Sequence, residues 1–518
     1  MVGADTFDIR FLGQAGLKIR HGKTTLLTDP WLSGPAYEEQ WYLYPLSDRS
    51  VPVGDVDYIW YSHGHEDHLH EETFDLLPKD ATVLLTKQWF TGNRQWLMEH
   101  GFADVREITS GHWIELGDDL SIVSIVNRSD SLSIIRTSRE IIVNVNDALH
   151  CYDDACIDFY CRRILSLLRG RRIDYMFCGF AGASYFPNCV RHPHKNDVEV
   201  ARAREQHFVS GFARIAKNLG PRMAFGFAAG VVLLEPVNHW INEIKLSNDP
   251  VGVTTELMPE MRGRVFKLRP GDRIADGHFH PGDTPPPADP VADYQSVYAA
   301  EIRAKRERPQ IARETAESVL RVVEGNVRDR LKRVNGDKLA FDWAIRLCDC
   351  PDAILRLTLA DRRLVATHLT PEQLAEVKDM VLEASSRVLL ACVSSRWGGE
   401  ALQIGYGGIF ELRSREAVEQ NHSRLYLQLG TKLPRQSDYL RIAPLRGISH
   451  LLHSPYLARQ AVRMLRPGPG RPTIDSAGRV GVLETSHWIS AAPCAGCPVC
   501  DVPPDDELTR EPLGSPVP

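Results

Sequence analysis

Short runs of alternating apolar and polar residues, separated by turn residues, dominate the chain from residue 7 to about 145. Phe7-Asp-Ile-Arg-Phe-Leu and Leu17-Lys-Ile-Arg repeat with the period of two expected of strands, and Gly13 to Gly16 supplies the turn between them. Thr24-Thr-Leu-Leu-Thr predicts a further strand that halts at Asp29-Pro30. Val56 to Ser62 reads as a buried-type strand running straight into His63. Leu120 to Val126, Ser133 to Arg136 and Ile141 to Val145 continue the series, and the last stops at Asn146-Asp147. Two intervening pieces, Glu71 to Leu77 and Lys87 to His100, are expected to be helical.

From about residue 153 the period changes. Cys156 to Leu168 and Val198 to Leu219 place apolar residues at three- and four-residue spacing, as amphipathic helices do, and the strands Tyr175 to Cys178 and Arg222 to Ala228 follow each in turn. Strand-rich segments succeeded by helix–strand units predict an α/β (α+β) protein with sheets in the middle and helices outside. This N-terminal domain is expected over residues 1–275, followed by a Pro-rich linker at 276–292 that cannot hold a helix. A smaller α+β C-terminal domain, a candidate substrate-binding module, is expected over 293–490, and a Cys-containing tail over 491–518. Within the C-terminal domain the pattern predicts a helix from Ala312 to Lys332 and strands at Phe341–Leu347, Ile354–Leu359 and Leu364–Thr367. A helix from Thr370 to about Val388 and a strand pair around Trp397 to Gly405 complete the expectation.

Charge and composition narrow the partners. The 518 residues carry 61 Lys and Arg against 67 Asp and Glu, a net charge of −6 that argues against coating nucleic acid or an anionic membrane. The longest apolar run, Met223 to Leu234, falls short of the roughly 20 residues that span a bilayer. With no secretory signal visible and eleven cysteines, an odd number and mostly scattered, a cytoplasmic protein without a disulfide framework is expected.

The chemistry concentrates in Ser62-His63-Gly64-His65-Glu66-Asp67-His68, placed where a buried strand ends and a loop can turn several side chains inward. Neutral imidazole and carboxylate are ligands for Zn(II) or non-haem Fe(II). The spacing pairs His63 with His65 and Asp67 with His68, which suits one or two ions. In the tail, Cys494, Cys497 and Cys500 have the spacing of ligands to a second zinc ion or an iron–sulfur cluster, with a fourth ligand from His487 or elsewhere.

The motif resembles the signature of the metallo-β-lactamase superfamily, His-x-His-x-Asp-His after a buried strand. That resemblance implies an αββα sandwich in which the first two histidines serve one metal, the Asp–His pair serves a second, and a later aspartate bridges them. Asp147, at the end of its strand, stands where the bridging residue is expected. A narrower resemblance over about residues 10 to 275 is to the CMP-N-acetylneuraminic acid hydroxylase family. It is carried by Thr28-Asp-Pro-Trp-Leu-Ser-Gly-Pro-Ala-Tyr, Gly179-Phe-Ala-Gly-Ala-Ser-Tyr-Phe-Pro, Phe225-Gly-Phe-Ala-Ala-Gly, Glu235-Pro-Val-Asn-His239, Asn248-Asp249-Pro250 and Leu268-Arg-Pro-Gly-Asp, in that order. The resemblance implies iron, O₂ and electrons delivered through a Rieske cluster, and it makes His239 the choice for a late metal ligand.

Two departures stand out. The sequence has no Cys-x-His…Cys-x-x-His pair, the Rieske ligand pattern; the tail cysteines are one candidate replacement for that cluster, and an electron-transfer partner is a further candidate. The histidine usual before the bridging aspartate is also missing: the region reads Ile125-Val-Asn127-Arg-Ser-Asp130-Ser. Asn127 or Asp130 substitutes, or the first metal lacks that ligand. The leading expectation is a non-haem iron oxygenase acting on a small polar organic molecule. The alternative is a binuclear zinc hydrolase of an ester, lactone or phosphodiester, in which Asp67 also orients the nucleophile.

Overall fold

The computed structural model describes residues 7–432 apart from 88–91, 128, 183–184, 333–338 and 397. Cys494, Cys497, Cys500 and His487 lie outside the described residues.

Two sheets face each other across an apolar layer. The first has eight strands in the spatial order His278–His280, Arg273–Ala275, Phe7–Gly13, Gly16–His21, Thr24–Thr28, Tyr58–Tyr61, Thr82–Thr86 and Asp104–Ile108. The second has seven, ordered Val265–Lys267, Met223–Phe227, Tyr175–Gly179, Ile141–Asn146, Asp130–Arg136, Leu120–Asn127 and Trp113–Gly117. Ile19, Leu26 and Trp60 from the first sheet meet Ile122, Phe177 and Phe225 from the second in one buried cluster. Each sheet is buried on its other face as well, which is why central strands such as Thr24–Thr28 and Leu120–Asn127 are buried along their whole length. The helices Asp154–Leu168 and Asp197–Leu219 cover the second sheet through Ile157, Ile164, Phe212 and Ile215. The segments Glu71–Leu76 and Gly92–Glu99 cover the first through Phe74 and Leu97. The layers are therefore helix, sheet, sheet, helix. Among the described residues no helix is long and apolar enough to cross a membrane.

A third sheet of six strands follows the order Val190–Arg191, Gly408–Leu412, Met380–Ala384, Phe341–Leu347, Cys350–Ala360 and Arg363–Leu369. It packs on the helix Arg313–Leu331 through Val319, Leu320 and Val323. Two N-terminal segments enter this unit. Val190–Arg191 pairs in parallel with Gly408–Leu412, and Trp31, Tyr37 and Trp41 share the cluster that holds Trp343 and Phe410. A half-buried ion triad makes a further tie: Glu235 Oε1 lies 2.8 Å from Lys305 Nζ and 2.7 Å from Arg308 Nη2.

Two expectations in this region are corrected. The stretch from Thr370 to Val388 is not one helix. It is a 3₁₀ turn Pro371–Glu376, the strand Met380–Ala384 and the start of a helix Ser386–Ser394. Met380, Val381 and Leu382 sit between two neighbouring strands and are buried, and such a short apolar run does not distinguish strand from helix by period. The expected strand pair after Trp397 is the helix Gly398–Gln403. A Cβ on Gly398 would lie 1.8 Å from the Ala391 carbonyl oxygen, so its glycine serves close helix–helix packing.

Phe225→Ala, in the layer between the two sheets, is expected to cost about 3–5 kcal/mol, read as a lowered denaturation midpoint. Burial opposes ionisation of Glu235, but Lys305 and Arg308 outweigh it and hold the carboxyl below its ordinary 4.5. Its contribution is therefore full above that value and lost as acid reaches the lower folded one. Glu235→Gln should flatten the fall in stability below pH 4.5, measured by denaturation at stepped pH.

Candidate metal centre

The centre forms at the edge where parallel strands end, the position at which open α/β sheets place their ligands. Thr24–Thr28 and Tyr58–Tyr61 run parallel with Thr28 opposite Trp60, so the residues that follow, Asp29 and Ser62-His63, emerge side by side. On the facing sheet Ile141–Asn146 runs parallel to Tyr175–Gly179 and delivers Asp147 to the same edge. Gly179 is required there, because a Cβ would lie 3.1 Å from Asp147 Oδ1 and 2.7 Å from the His150 ring. After Ser62 the chain closes into a tight turn, with the His68 and Leu69 N–H groups donating to the His65 carbonyl.

This turn gathers His63, His65, Asp67 and His68. The His63 Nε2 and His65 Nδ1 atoms are 2.8 Å apart. His68 Nε2 lies 3.1 Å from Asp147 Oδ2 and 3.2 Å from Asp67 Oδ2. Asp130 Oδ1 stands 3.9 Å from His63 Nε2, and His63, His65 and Asp130 form one group of potential ligand atoms within 4.8 Å of one another. His63, His68 and Asp147 form another such group. Of the two candidates for the missing histidine's place, Asp130 is the one brought to the centre. Asn127 donates instead to the Ala148 carbonyl at 2.6 Å. His239 belongs to neither group; its Nε2 lies 2.8 Å from the Leu234 carbonyl oxygen.

Outer partners fix the inner ones. Ser62 Oγ lies 2.8 Å from His63 Nδ1, and Asp29 Oδ2 lies 3.2 Å from His68 Nδ1, so both rings turn Nε2 towards the centre. Asp29 also accepts the Ser62 N–H at 2.7 Å and the Asn146 amide. Asp67 is held from both sides, by the Tyr37 hydroxyl at 2.6 Å on Oδ1 and the Gln14 amide at 3.1 Å on Oδ2. Glu66 accepts the Tyr37 N–H at 2.6 Å.

The electrostatics follow from burial. Burial pushes the Glu66 carboxyl up to about 8. Burial works the same way on Asp67, but His68 outweighs it and holds the carboxyl well below the carboxylate range. Burial, with His68 and His65 nearby, keeps His63 neutral, the form that binds metal. Asp147 remains the more open candidate ligand, with its side chain 29% exposed and its Oδ1 lacking a hydrogen-bond partner among the described residues. Imidazole and carboxylate atoms converging at this spacing, one of them buried and unsatisfied, fit a bound transition ion.

Asp29, Tyr37 and Ser62 stand inside the quoted motifs without a role assigned to them, and Gln14 stands outside the motifs. Asp29 carried a signal in that it ends a buried strand as His63 does, but Tyr37 and Gln14 reach Asp67 from segments 30 and 53 residues away.

His63→Ala and Asp130→Ala should each lower the metal bound per chain, measured by elemental analysis, whereas Asn127→Ala should leave it unchanged. Asp29→Asn should weaken metal affinity about 10–100-fold, read by competition with a chelator.

Residues 8–126 match the family model of the β-lactamase superfamily domain. Among curated proteins, the chain is 22% identical over 264 residues to the cytidine monophosphate-N-acetylneuraminic acid hydroxylase of Danio rerio, covering 48% of this chain and 42% of that one. It is 25% identical over 288 residues to the inactive human counterpart, covering 52% and 54%. The chain thus spans about half the length of these relatives. Similar solved structures include CmlA, a diiron β-hydroxylase from Streptomyces venezuelae, at 19% identity and a TM-score of 0.35 over 53% of this chain and 54% of that one. Another is an isothiocyanate hydrolase from Delia radicum gut bacteria, at 14% identity and 0.32 over 52% and 98%. The layered sheets and the family-model match together give the metallo-β-lactamase fold.

Proposed function

We propose that this chain is an iron-dependent oxygenase that hydroxylates a small polar organic molecule, with electrons supplied by a separate donor protein. The observation that carries this reading is Asp130. With His63 and His65 it makes a group of two imidazoles and one carboxylate, the donor set that non-haem Fe(II) oxygenases favour. Asp67, His68 and Asp147 would hold a second ion in surroundings still richer in oxygen. The hydroxylase relatives add support, as do the described cysteines, all free thiols, which suit a reducing cytoplasm.

When bound, iron here would supply the reductive activation of O₂. The chain's own residues do the positioning. Asp29 and Ser62 hold the His68 and His63 rings in one orientation each. Tyr37 and Gln14 occupy both Asp67 oxygens and keep that carboxylate from swinging away. His63, Asp67 and His68 are buried from bulk water, while the partly exposed Asp147 leaves the centre open to a substrate.

Protein loaded anaerobically with Fe(II) and given a chemical reductant is expected to take up O₂ in proportion to bound iron, and Asp130→Ala to abolish the uptake. Zinc-loaded protein that cleaves an ester, lactone or phosphodiester, with no O₂ uptake by the iron form, would contradict this and favour the zinc hydrolase.

A further inference from the structure

Beside the metal centre lies a cavity of about 330 Å³, near the lower end of volumes that enclose small ligands. Gln14 joins the two: it lines this cavity while its amide holds Asp67. The walls are mainly apolar, formed by Phe11, Phe180, Phe227, Leu246 and Leu268 together with several prolines. Three cations, Lys245, Lys267 and Arg269, line the same space, and no acid does.

Two of these cations leave donors without a hydrogen-bond acceptor among the described residues. Lys245, in the last turn of the helix His239–Leu246, is only 6% exposed, and its ammonium makes no hydrogen bond or ion pair among the described residues. Its Nζ sits 5.2 Å from the centre of the Trp41 ring. The nearest acid by charge, Glu205, is engaged by Arg204 at 3.1 Å and by Asn248 at 2.8 Å. Arg269 Nε is buried with no hydrogen-bond partner. Lys267 differs: it is exposed and donates to the Asn248 carbonyl at 3.0 Å.

A buried, unpaired ammonium is costly, and a native structure retains one where something else completes it. Burial already depresses the Lys245 ammonium below the ordinary lysine value, so an anion placed against it regains what burial took away. Cationic donors set into apolar walls describe an amphipathic occupant.

We propose that this cavity binds the substrate, and that the substrate is an organic acid with an apolar, aromatic or branched body: its carboxylate or phosphate meets Lys245 and Arg269, and its body lies against Phe11, Phe180 and Phe227. As a substrate assignment this rests on the oxygenase reading; as a binding site it does not. A sugar nucleotide, with hydroxyl groups on most of its surface, would leave those groups unsatisfied against phenyl and proline walls.

Binding is tested on metal-free full-length protein by calorimetry, so that a failure of the metal chemistry leaves the outcome readable. The probes are phenylacetate, phenyl phosphate, the neutral phenylacetamide and CMP-N-acetylneuraminate. An acid is expected to bind about tenfold or more tightly than the amide, and Lys245→Met to erase that preference while leaving amide affinity unchanged. If Lys245→Met does not fold, Arg269→Gln carries the same test. Comparison of phenylacetate with phenyl phosphate identifies the acid group. Equal binding of acid and amide, no binding of any probe, preference for CMP-N-acetylneuraminate over the phenyl acids, or an unchanged preference in the folded variants would overturn the proposal.

Discussion

A carboxylate shut away from water has to be met by donors or cations, and Asp67 imposes that demand on everything around it. Three groups answer: the His68 ring, the Tyr37 hydroxyl and the Gln14 amide. Each belongs to a different part of the structure. His68 comes from the same turn, Gln14 from the hairpin between the first two strands, and Tyr37 from a segment whose apolar neighbours are in the C-terminal core. The centre is therefore linked to the packing of both folded units. Glu400, from the helix Gly398–Gln403, deepens that link: it is half-buried with its Oε2 shut from water and unpaired, and it faces Tyr37 electrostatically.

The rest of the ligand geometry is a consequence of strand direction. Parallel neighbours end at the same edge, so Asp29, Ser62 and His63 need no long loops to meet. Asp147 arrives from the opposing sheet by the same rule. Buried strands and facing sheets fix these positions to within the tolerance of a packed core, which is what a metal centre built from side chains on separate strands requires. The cavity walls come in part from strands, through Phe11, Phe227 and Lys267, and in part from the loops and short helices that follow them, where sequence change alters the ligand without disturbing the metal.

Much of this was readable in the sequence because strands buried on both faces leave conspicuous apolar runs, and the polar residue ending each run is the one that reaches the edge. The His63–His68 turn stands out by its spacing at the end of such a run, and Asp147 by ending another at the place the metallo-β-lactamase resemblance implies. The choice between Asn127 and Asp130 was not, since these residues face each other across one hairpin and a tertiary contact, the Ala148 carbonyl, claims Asn127. The cavity was equally hidden: Phe180, Phe227 and Arg269 lie in stretches that carry the hydroxylase resemblance, but nothing in those stretches tells that they meet Phe11 and Lys245 around one space. In the C-terminal unit, Met380–Ala384 was mistaken for helix because packing on both sides removes the alternation that marks a half-buried strand.

The central claim is that six side chains from two sheets share one pair of ions. Anomalous diffraction from metal-loaded crystals tests it directly. The account predicts two peaks, one ligated by His63, His65 and Asp130 and the other by Asp67, His68 and Asp147. Peaks bound by other residues, with His239 as a ligand and Asp130 turned away, would contradict it.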